Sequence, residues 1–470
     1  MTETTPRRGP GGFHGREAVG AVANGDTTPA DLYQDAIRRI AEWEPGLGAV
    51  VEQITYQPPS EGPLCGMIFG IKVHQDVAGY RNWLSLQAHG MNGEPATQDA
   101  TVVTRLLRSG ATLACTTAAP FIGAPGGVTP QTRNSRSPDR VSGGSSGGSA
   151  TALAAGLVHG ALGGDSGGSI RIPAACCGVV GLQTTRGVVP LTRAGGLTYS
   201  MDNVGPLAST TGDARLILDA IAGFDADDPY SVASAPRDEW DGQPLKIGLP
   251  SELVDQNMDA DVREMFDGVV ERLRDAGHRI DPVSLPILRE SMDLGPRTIG
   301  IVESGSIIED TLVDVLGDIP ELVEAVTRSK EISGPKMART YHRVAVLRSE
   351  VRRTFAEYDV LLTPTLPCRV PDGSAAHLEE EIDVGGVVET RTSALTRLVN
   401  PWNLAAVPCG SQPVGRDSDG APISMQLIGP QFSEWKLLDI MEYLEGLLGG
   451  PWDTVGPPGG VVSLRVEWLP

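Results

Sequence analysis

The stretch that decides the fold reads Ser142-Gly-Gly-Ser-Ser-Gly-Gly-Ser-Ala150 and continues, after an apolar interval, as Gly163-Gly-Asp-Ser-Gly-Gly-Ser-Ile-Arg-Ile-Pro173. Between the two Gly/Ser turns, Thr151 to Leu157 favours a helix and Val158 to Leu162 favours a buried strand. Because the helix and strand that connect them are short, we expect the two Gly/Ser turns to lie side by side. Clustered glycines let backbone N–H groups converge on one point, which suits a phosphate or an oxyanion. An isolated Gly/Ser run is typical of a linker, but linkers are not embedded in core-forming sequence.

Charge excludes some classes of partner. The 470 residues hold 38 Lys and Arg against 59 Asp and Glu, a net charge of −21. Nucleic acids and anionic membrane surfaces are bound by clustered positive charge, so neither is expected as a partner. We expect a small-molecule substrate and a monomer or homodimer.

The cysteines and the N-terminus indicate the compartment. The six cysteines lie mostly in apolar sequence without CxxC spacing, which predicts buried free thiols. Met1 to Gly15 has no apolar core of a signal peptide, and no window is long and apolar enough for a membrane span. The sequence therefore predicts a cytoplasmic protein.

Helical and strand patterns alternate along the chain. Asp99 to Ser109 predicts a helix followed by a buried strand at Ala111 to Cys115, and Asp259 to Ala276 is strongly amphipathic. This alternation predicts an α/β fold: a large mixed, mostly parallel twisted sheet covered by helices on both faces. We expect a partly disordered head over residues 1–27 and one domain over 28–470. Within it, the core spans about 65–190 and a variable excursion spans about 368–400.

The two turns closely resemble the amidase signature family, enzymes that use a serine nucleophile, a second serine after a cis peptide bond, and a lysine. The motifs that carry the resemblance are Gly143-Gly144-Ser145-Ser146-Gly147-Gly148-Ser149, Asp165-Ser166-Gly167-Gly168-Ser169-Ile170-Arg171-Ile172-Pro173-Ala174 and Cys177-Gly178-Val179-Val180-Gly181-Leu182. The resemblance implies that Ser169 is the nucleophile, Ser145 the bridging serine and Lys72, within Phe69-Gly70-Ile71-Lys72-Val73, the base. It implies a hydrolase that cleaves an amide, aryl amide, ureido or carbamate C–N bond through an acyl-enzyme. No cofactor is implied.

The chemistry requires an unusual lysine. An unperturbed lysine is a cation at neutral pH, but burial beside apolar neighbours lowers its pKa and makes it a base. The resemblance implies an oxyanion hole formed by backbone N–H groups of Ser166, Gly167, Gly168 and Ser169. Ser146 and Asp165 are expected to support the site without reacting. Arg171 is expected in a structural ion pair.

Other interpretations of the same residues make different demands. Gly144-Ser145-Ser146-Gly147-Gly148 satisfies the G-x-S-x-G pattern of α/β-hydrolases, which would make Ser146 the nucleophile, but no strand precedes it. A P-loop would need Gly-Lys-Ser/Thr where Ser149 and Ala150 stand. HExxH and paired Cys/His spacings are absent, so no metal is expected. His74, close to Lys72, is a candidate pocket residue, although a lone histidine is more often structural.

The chain also departs from the family pattern. Val73, Gly164 and Ser166 stand where Asp and two threonines are common, and Gln183-Thr184-Thr185 replaces Lys-Pro-Thr. The family's Gln-tRNA amidotransferase subunit usually carries Gln where this chain has Ile172, so a free-standing amidase is expected and that subunit remains the alternative. Loop residues that are candidates for lining the pocket are Trp83, Phe121, Tyr199, Met201 and Trp402, and Leu84 and His89 replace a small-residue loop of many relatives.

Overall fold

The computed structural model describes residues 9–82, 94–120, 132–233, 235–312, 316–373 and 380–450. Its strands are β1 Val50–Gln53, β2 Ile68–Lys72, β3 Thr112–Thr117, β4 Gly160–Asp165, β5 Val180–Gln183, β6 Asn203–Ala208, β7 Lys246–Pro250, β8 Arg279–Val283, β9 Val360–Pro364, β10 Glu381–Val384, β11 Val387–Thr390, β12 Cys409–Arg416 and β13 Pro422–Ile428. Its helices are α1 Gly15–Asn24, α2 Pro29–Leu47, α3 Thr101–Arg108, α4 Gly147–Ala154, α5 Arg171–Cys177, α6 Thr211–Ile221, α7 Ser251–Val254, α8 Ala260–Asp275, α9 Ser291–Leu294, α10 Gly300–Thr311, α11 Pro320–Glu331, α12 Gly334–Thr354, α13 Arg391–Thr396, α14 Asn400–Ala405 and α15 Glu434–Leu447.

An 11-stranded sheet organises the molecule in the order β1-β3-β2-β4-β6-β5-β12-β13-β9-β7-β8. The expected α/β fold with a large mixed sheet is confirmed. β2 runs parallel to β3 and β4, and β7 runs parallel to β8 and β9. The strands between these two groups pair antiparallel, because β12 and β13 form a hairpin and β6 runs opposite to both β4 and β5.

Both faces of this sheet are covered by helices. Adjacent residues of a single strand pack into different hydrophobic clusters, one on each face. Phe69 and Ile71 of β2 belong to the hydrophobic cluster that contains residues of α3, α6, α8 and α15, whereas Ile68 belongs to the cluster with α2 and α4. In β9, Leu362 joins the first cluster and Leu361 joins a third cluster with α12 and α14. Because successive strand side chains point to opposite faces, the first cluster covers one face and the other two divide the opposite face.

Local signals in the sequence explain several helix ends. Thr28 caps α2 by accepting a hydrogen bond from the Asp31 amide at 3.1 Å, with Pro29 in the first turn. The helix predicted to begin at Thr151 begins at Gly147 instead. A Cβ on Gly148 would collide with the backbone of Ala118, so only glycine permits this close packing. Tertiary contact therefore outweighs the low helix propensity of glycine here.

The N-terminal head (residues 1–27) and the excursion (about 368–400) each contain secondary structure beyond what the sequence predicted. Part of the predicted head is helical: α1 lies within it, and the Gly15 amide donates to the Asp213 carboxylate at 3.1 Å. The predicted excursion contains the β10–β11 hairpin and α13. The boundaries of the head and of the excursion remain predictions.

All six cysteines are buried and free, as predicted. In the described part of the chain, none of the helices has the length and apolar character needed to cross a membrane.

Candidate active site

Lys72 occupies the last position of β2, a strand that is buried along its whole length. β4 runs parallel to β2 and ends at Asp165, so the two strands deliver Lys72 and the second Gly/Ser turn to the same edge of the sheet. The Lys72 amine lies 2.6 Å from Ser145 Oγ. A Cβ on Gly164 would lie 3.6 Å from Lys72 Nζ, which leaves the amine room beside β4.

The two serine turns meet at this edge. The peptide bond between Gly144 and Ser145 is cis, as the family resemblance implies, and the Ser146 amide donates to the Ser169 carbonyl at 3.1 Å. Ser145 and Ser169 are half-buried while the residues on either side of each are buried. Both hydroxyl-bearing residues are therefore reachable from outside the core. Within the described residues, their two hydroxyls form no hydrogen bond with each other.

Electrostatics make Lys72 unusual. Burial lowers the pKa of Lys72 to about 8, although the nearby carboxylates of Asp165 and Asp202 act in the opposite direction. Its side chain has no carboxylate within ion-pair distance among the described residues, so its charged form is poorly compensated. A lysine of this kind supplies an appreciable fraction of neutral amine near neutral pH.

Asp165 and Arg171 form a fully buried ion pair behind the second turn. Arg171 Nε lies 3.1 Å from Asp165 Oδ2, and Asn403 donates to Oδ1 at 2.8 Å. Burial alone would raise the pKa of Asp165, but Arg171 and these hydrogen bonds hold it below its usual value. Arg171 also donates to Gln426 at 3.2 Å. This satisfied network agrees with the structural roles expected for Asp165 and Arg171.

The predicted oxyanion turn is only partly available for substrate. The Gly168 amide donates to Asp165 Oδ1 at 2.7 Å, so the expectation that it points at an oxyanion is wrong in this structure. In the described part of the chain, the amides of Gly167 and Ser169, which lie in the bend between β4 and α5, have no hydrogen-bond acceptor. Unpaired N–H groups at a half-buried turn are suitable donors to a developing oxyanion.

Asp202 belongs to the site although no motif in the sequence points to it. Its carboxylate accepts hydrogen bonds from the Ser166 hydroxyl and from the Thr198 hydroxyl at 2.7 Å and amide at 2.8 Å. A Cβ on Gly196 would collide with Asp202 Oδ2, so the segment 196–198 closes tightly over the carboxylate. Burial raises the pKa of Asp202, and the hydrogen bonds oppose that rise. Asp202 thus holds Ser166 in the second Gly/Ser turn.

The remaining candidates are placed elsewhere. Ser146 Oγ donates to the Gly164 carbonyl at 3.2 Å, a turn-stabilising bond that agrees with its supporting role. Burial and the charge of Lys72 lower the pKa of His74 well below its usual value, so His74 stays neutral beside the site.

Trp402 is fully buried in the hydrophobic cluster around α12 and α14, so the prediction that it lines a pocket is wrong. Tyr199 is exposed and Met201 lines a separate cavity. Trp83, Leu84, His89 and Phe121 lie outside the described residues.

A family profile described as Amidase matches residues 48–438 of the chain. The chain belongs to the amidase signature family. It is 33% identical to a glutamyl-tRNA(Gln) amidotransferase subunit of Natronomonas pharaonis over 83% of this chain and 97% of that protein. It is also 33% identical to an amidase of Pseudomonas putida over 77% of each chain.

Solved structures give the same family assignment. A crystal structure of an amidase has a TM-score of 0.81 and 27% identity, covering 93% of this chain and 100% of that chain. A 6-aminohexanoate cyclic dimer hydrolase with bound substrate has a TM-score of 0.81 and 25% identity, covering 94% of this chain and 98% of that chain. The amidase signature fold therefore extends over nearly the whole chain.

Proposed function

We propose that this chain hydrolyses a carboxamide-type C–N bond through an acyl-enzyme on Ser169, with Ser145 as proton shuttle and Lys72 as base. The observation that carries the proposal is the 2.6 Å approach of a buried lysine amine, with a pKa lowered to about 8, to the hydroxyl of Ser145. Membership of a family that contains amidases supports the reaction class.

In the proposed mechanism, Ser169 Oγ attacks the carbonyl carbon of the substrate. The Ser169 proton passes to Ser145 Oγ as the Ser145 proton passes to the neutral Lys72 amine. The tetrahedral oxyanion accepts hydrogen bonds from the amides of Gly167 and Ser169, with the Ser166 amide as a further candidate. Collapse expels the amine, which takes a proton from Ser145 while Lys72 returns one to Ser145. Water, deprotonated by the same relay, then releases the acid and restores Ser169.

The roles of the supporting residues follow from their contacts. Asp165 holds the Gly168 amide at 2.7 Å and the Ile170 amide at 3.1 Å, so it fixes the backbone on both sides of Ser169. Asp202 fixes Ser166 through its hydroxyl. With both ends of the turn held, the free amides keep their direction during the reaction, which reduces the reorganisation needed in the transition state.

Covalent labelling tests the nucleophile. A fluorophosphonate is expected to modify Ser169 in the whole protein, detectable as one added phosphonyl group on the peptide that contains it, and Ser169→Ala is expected to abolish both labelling and amide hydrolysis. Ser149→Ala is the matched control, because Ser149 is buried, with its hydroxyl 2.6 Å from that of Thr117. Undiminished hydrolysis by a folded Ser169→Ala protein, or labelling at Ser146, would contradict the assignment.

The second candidate function is that of an amidotransferase subunit within a complex, favoured by the relatives that carry this name. The net charge of −21 argues against this chain itself binding tRNA. The two candidates separate in an assay of the purified chain on amides, anilides, ureas and carbamates beside L-glutamine. Turnover of a simple amide by the chain alone supports the free-standing amidase, whereas activity confined to glutamine supports the amidotransferase candidate.

A further inference from the structure

A cavity of about 280 Å³ lies between the segment that precedes Asp202 and the helices α12 and α14. Its apolar walls come from Met201, Ile299, Val344, Ala345 and Leu404, and its polar groups are Ser200, Tyr341 and Arg348. A mostly apolar cavity with a few polar groups is the usual composition of a small-molecule site. None of the proposed catalytic residues lines it.

Among the described residues that line this cavity, Arg348 is the only one with a formal charge. Its Nε donates to the Leu404 carbonyl at 2.8 Å, which fixes the plane of the guanidinium. No carboxylate lies within ion-pair distance of it in the part of the chain that the structure describes. Burial lowers the pKa of Arg348, and the positive charge of Arg186 adds to the effect. The arginine is therefore a partly buried cation that lacks a counter-charge.

Glu303 contacts two of the residues that line the cavity, and its carboxylate oxygens are already used. Glu303 Oε2 accepts hydrogen bonds from the Ser200 amide and hydroxyl, each at 3.0 Å, and Oε1 accepts one from Tyr341 at 2.8 Å. These bonds hold the carboxylate against Ser200 and Tyr341, and it forms no ion pair with Arg348. The positive end of the cavity is thus left open in a protein whose net charge is −21.

We propose that this cavity binds a carboxylate carried on a short apolar chain. The two terminal nitrogens of Arg348 face the carboxylate, since the guanidinium fork matches carboxylate geometry and its Nε is already used. The apolar chain packs against Met201, Val344 and Ile299. A carboxylate restores the missing counter-charge, which a neutral ligand of the same shape does not.

The ligand can come from two sources that share this chemistry. Met201 lines the cavity, and the next residue, Asp202, accepts a hydrogen bond from Ser166 in the second Gly/Ser turn. A ligand in the cavity is therefore close to the proposed active site, whether it is the far end of a substrate or a separate carboxylic acid. The binding itself does not depend on amide hydrolysis.

The test measures binding of hexanoate and hexanamide to the whole protein carrying Ser169→Ala, by titration calorimetry at pH 7. Arg348→Gln in that background is expected to weaken hexanoate binding about tenfold or more, the size of one lost charge-assisted hydrogen bond. Arg352→Gln is the matched control, because Arg352 lies one turn further along α12 and is exposed. It is expected to leave hexanoate affinity unchanged, and hexanamide is expected to bind at least about tenfold more weakly than hexanoate.

Equal affinity for hexanoate in the Arg348→Gln and control proteins, equal affinity for the acid and the amide, or no saturable binding of hexanoate would each overturn the proposal. Arg348→Lys keeps the charge and is expected to retain more hexanoate affinity than Arg348→Gln. If Arg348→Gln does not fold, the hexanoate affinity of Arg348→Lys is the test of the proposal. In the active protein, a selective rise in KM of carboxylate-bearing amides on Arg348→Gln assigns the cavity to substrate. Hexanoate binding that leaves amide hydrolysis uninhibited assigns it to a separate ligand. Both results uphold the carboxylate site, and neither bears on the role of Ser169.

Discussion

Lys72 and Arg171 are both buried cations near Asp165, but their surroundings differ. Arg171 touches Asp165 at 3.1 Å, and the carboxylate raises the pKa of Arg171 although burial opposes that change. Lys72 has a serine at 2.6 Å and no carboxylate within ion-pair distance among the described residues, so burial dominates and lowers its pKa to about 8. A contacting counter-charge makes the first cation part of the framework, and the lack of one makes the second available as a base.

Removing the base tests the functional half of this comparison. Lys72→Met is expected to lower kcat/KM for amide hydrolysis by about 10²–10⁴-fold, because the proposed relay through Ser145 loses its proton acceptor. Lys72→Arg is expected to be similarly inactive, since a guanidinium does not deprotonate near neutral pH. Steady-state kinetics on one amide substrate measure both. Lys246→Met, an exposed lysine on β7, is the control, and activity retained by Lys72→Met would refute the proposed role.

The same two cations are expected to affect stability with opposite signs. Arg171→Met leaves Asp165 buried without its counter-charge and is expected to lower the free energy of unfolding by about 3–5 kcal/mol. Lys72→Met removes a poorly compensated charge. Because the pKa of Lys72 falls from 10.5 to about 8 on folding, its burial costs up to about 3 kcal/mol below pH 8.

Urea unfolding at pH 7 is therefore expected to show Lys72→Met as stable as the native protein or more stable. The cost of the native lysine diminishes as pH rises from about 8 towards 10.5, so the advantage of Lys72→Met is expected to shrink over that range. Equal destabilisation by both substitutions would mean that the two cations do not differ as their contacts suggest.

The parts of this comparison differ in how far sequence alone could predict them. Lys72, Ser145 and Ser169 were placed by short contiguous motifs, and the cis bond before Ser145 agrees with the resemblance. Asp202 and Asn403 could not be found this way, because they reach the turn from the loop before β6 and from α14, far along the chain, and carry no local motif. The order and direction of the individual central strands could not be predicted for a similar reason, since helix and strand alternation does not encode strand direction.

The pH dependence of hydrolysis measures the state of Lys72 directly. In the proposed mechanism its neutral form is the base, so kcat/KM is expected to rise about tenfold per pH unit below pH 8 and to level off above it. A profile from pH 5.5 to 10 on an uncharged amide measures this, with a stability check at each pH. A limb that instead falls with rising pH near 8 would show that the charged amine is the active form.

The smallest effect concerns Asp202, whose negative charge raises the pKa of Lys72 against the effect of burial. Asp202→Asn keeps an oxygen for the hydroxyls of Ser166 and Thr198 but removes the charge, so the ammonium of Lys72 becomes less stable and its pKa falls. The acid limb of the kcat/KM profile is expected to move to lower pH by less than about one unit, since shifts of 1–3 units require closer charges. Thr198→Val keeps the charge and removes one hydrogen bond to it, so this variant is expected to lower the rate without moving the limb. A rate loss in Asp202→Asn with an unmoved limb would reduce Asp202 to a purely structural support of the turn, whereas a limb moved to higher pH would contradict the electrostatic account of Lys72 itself.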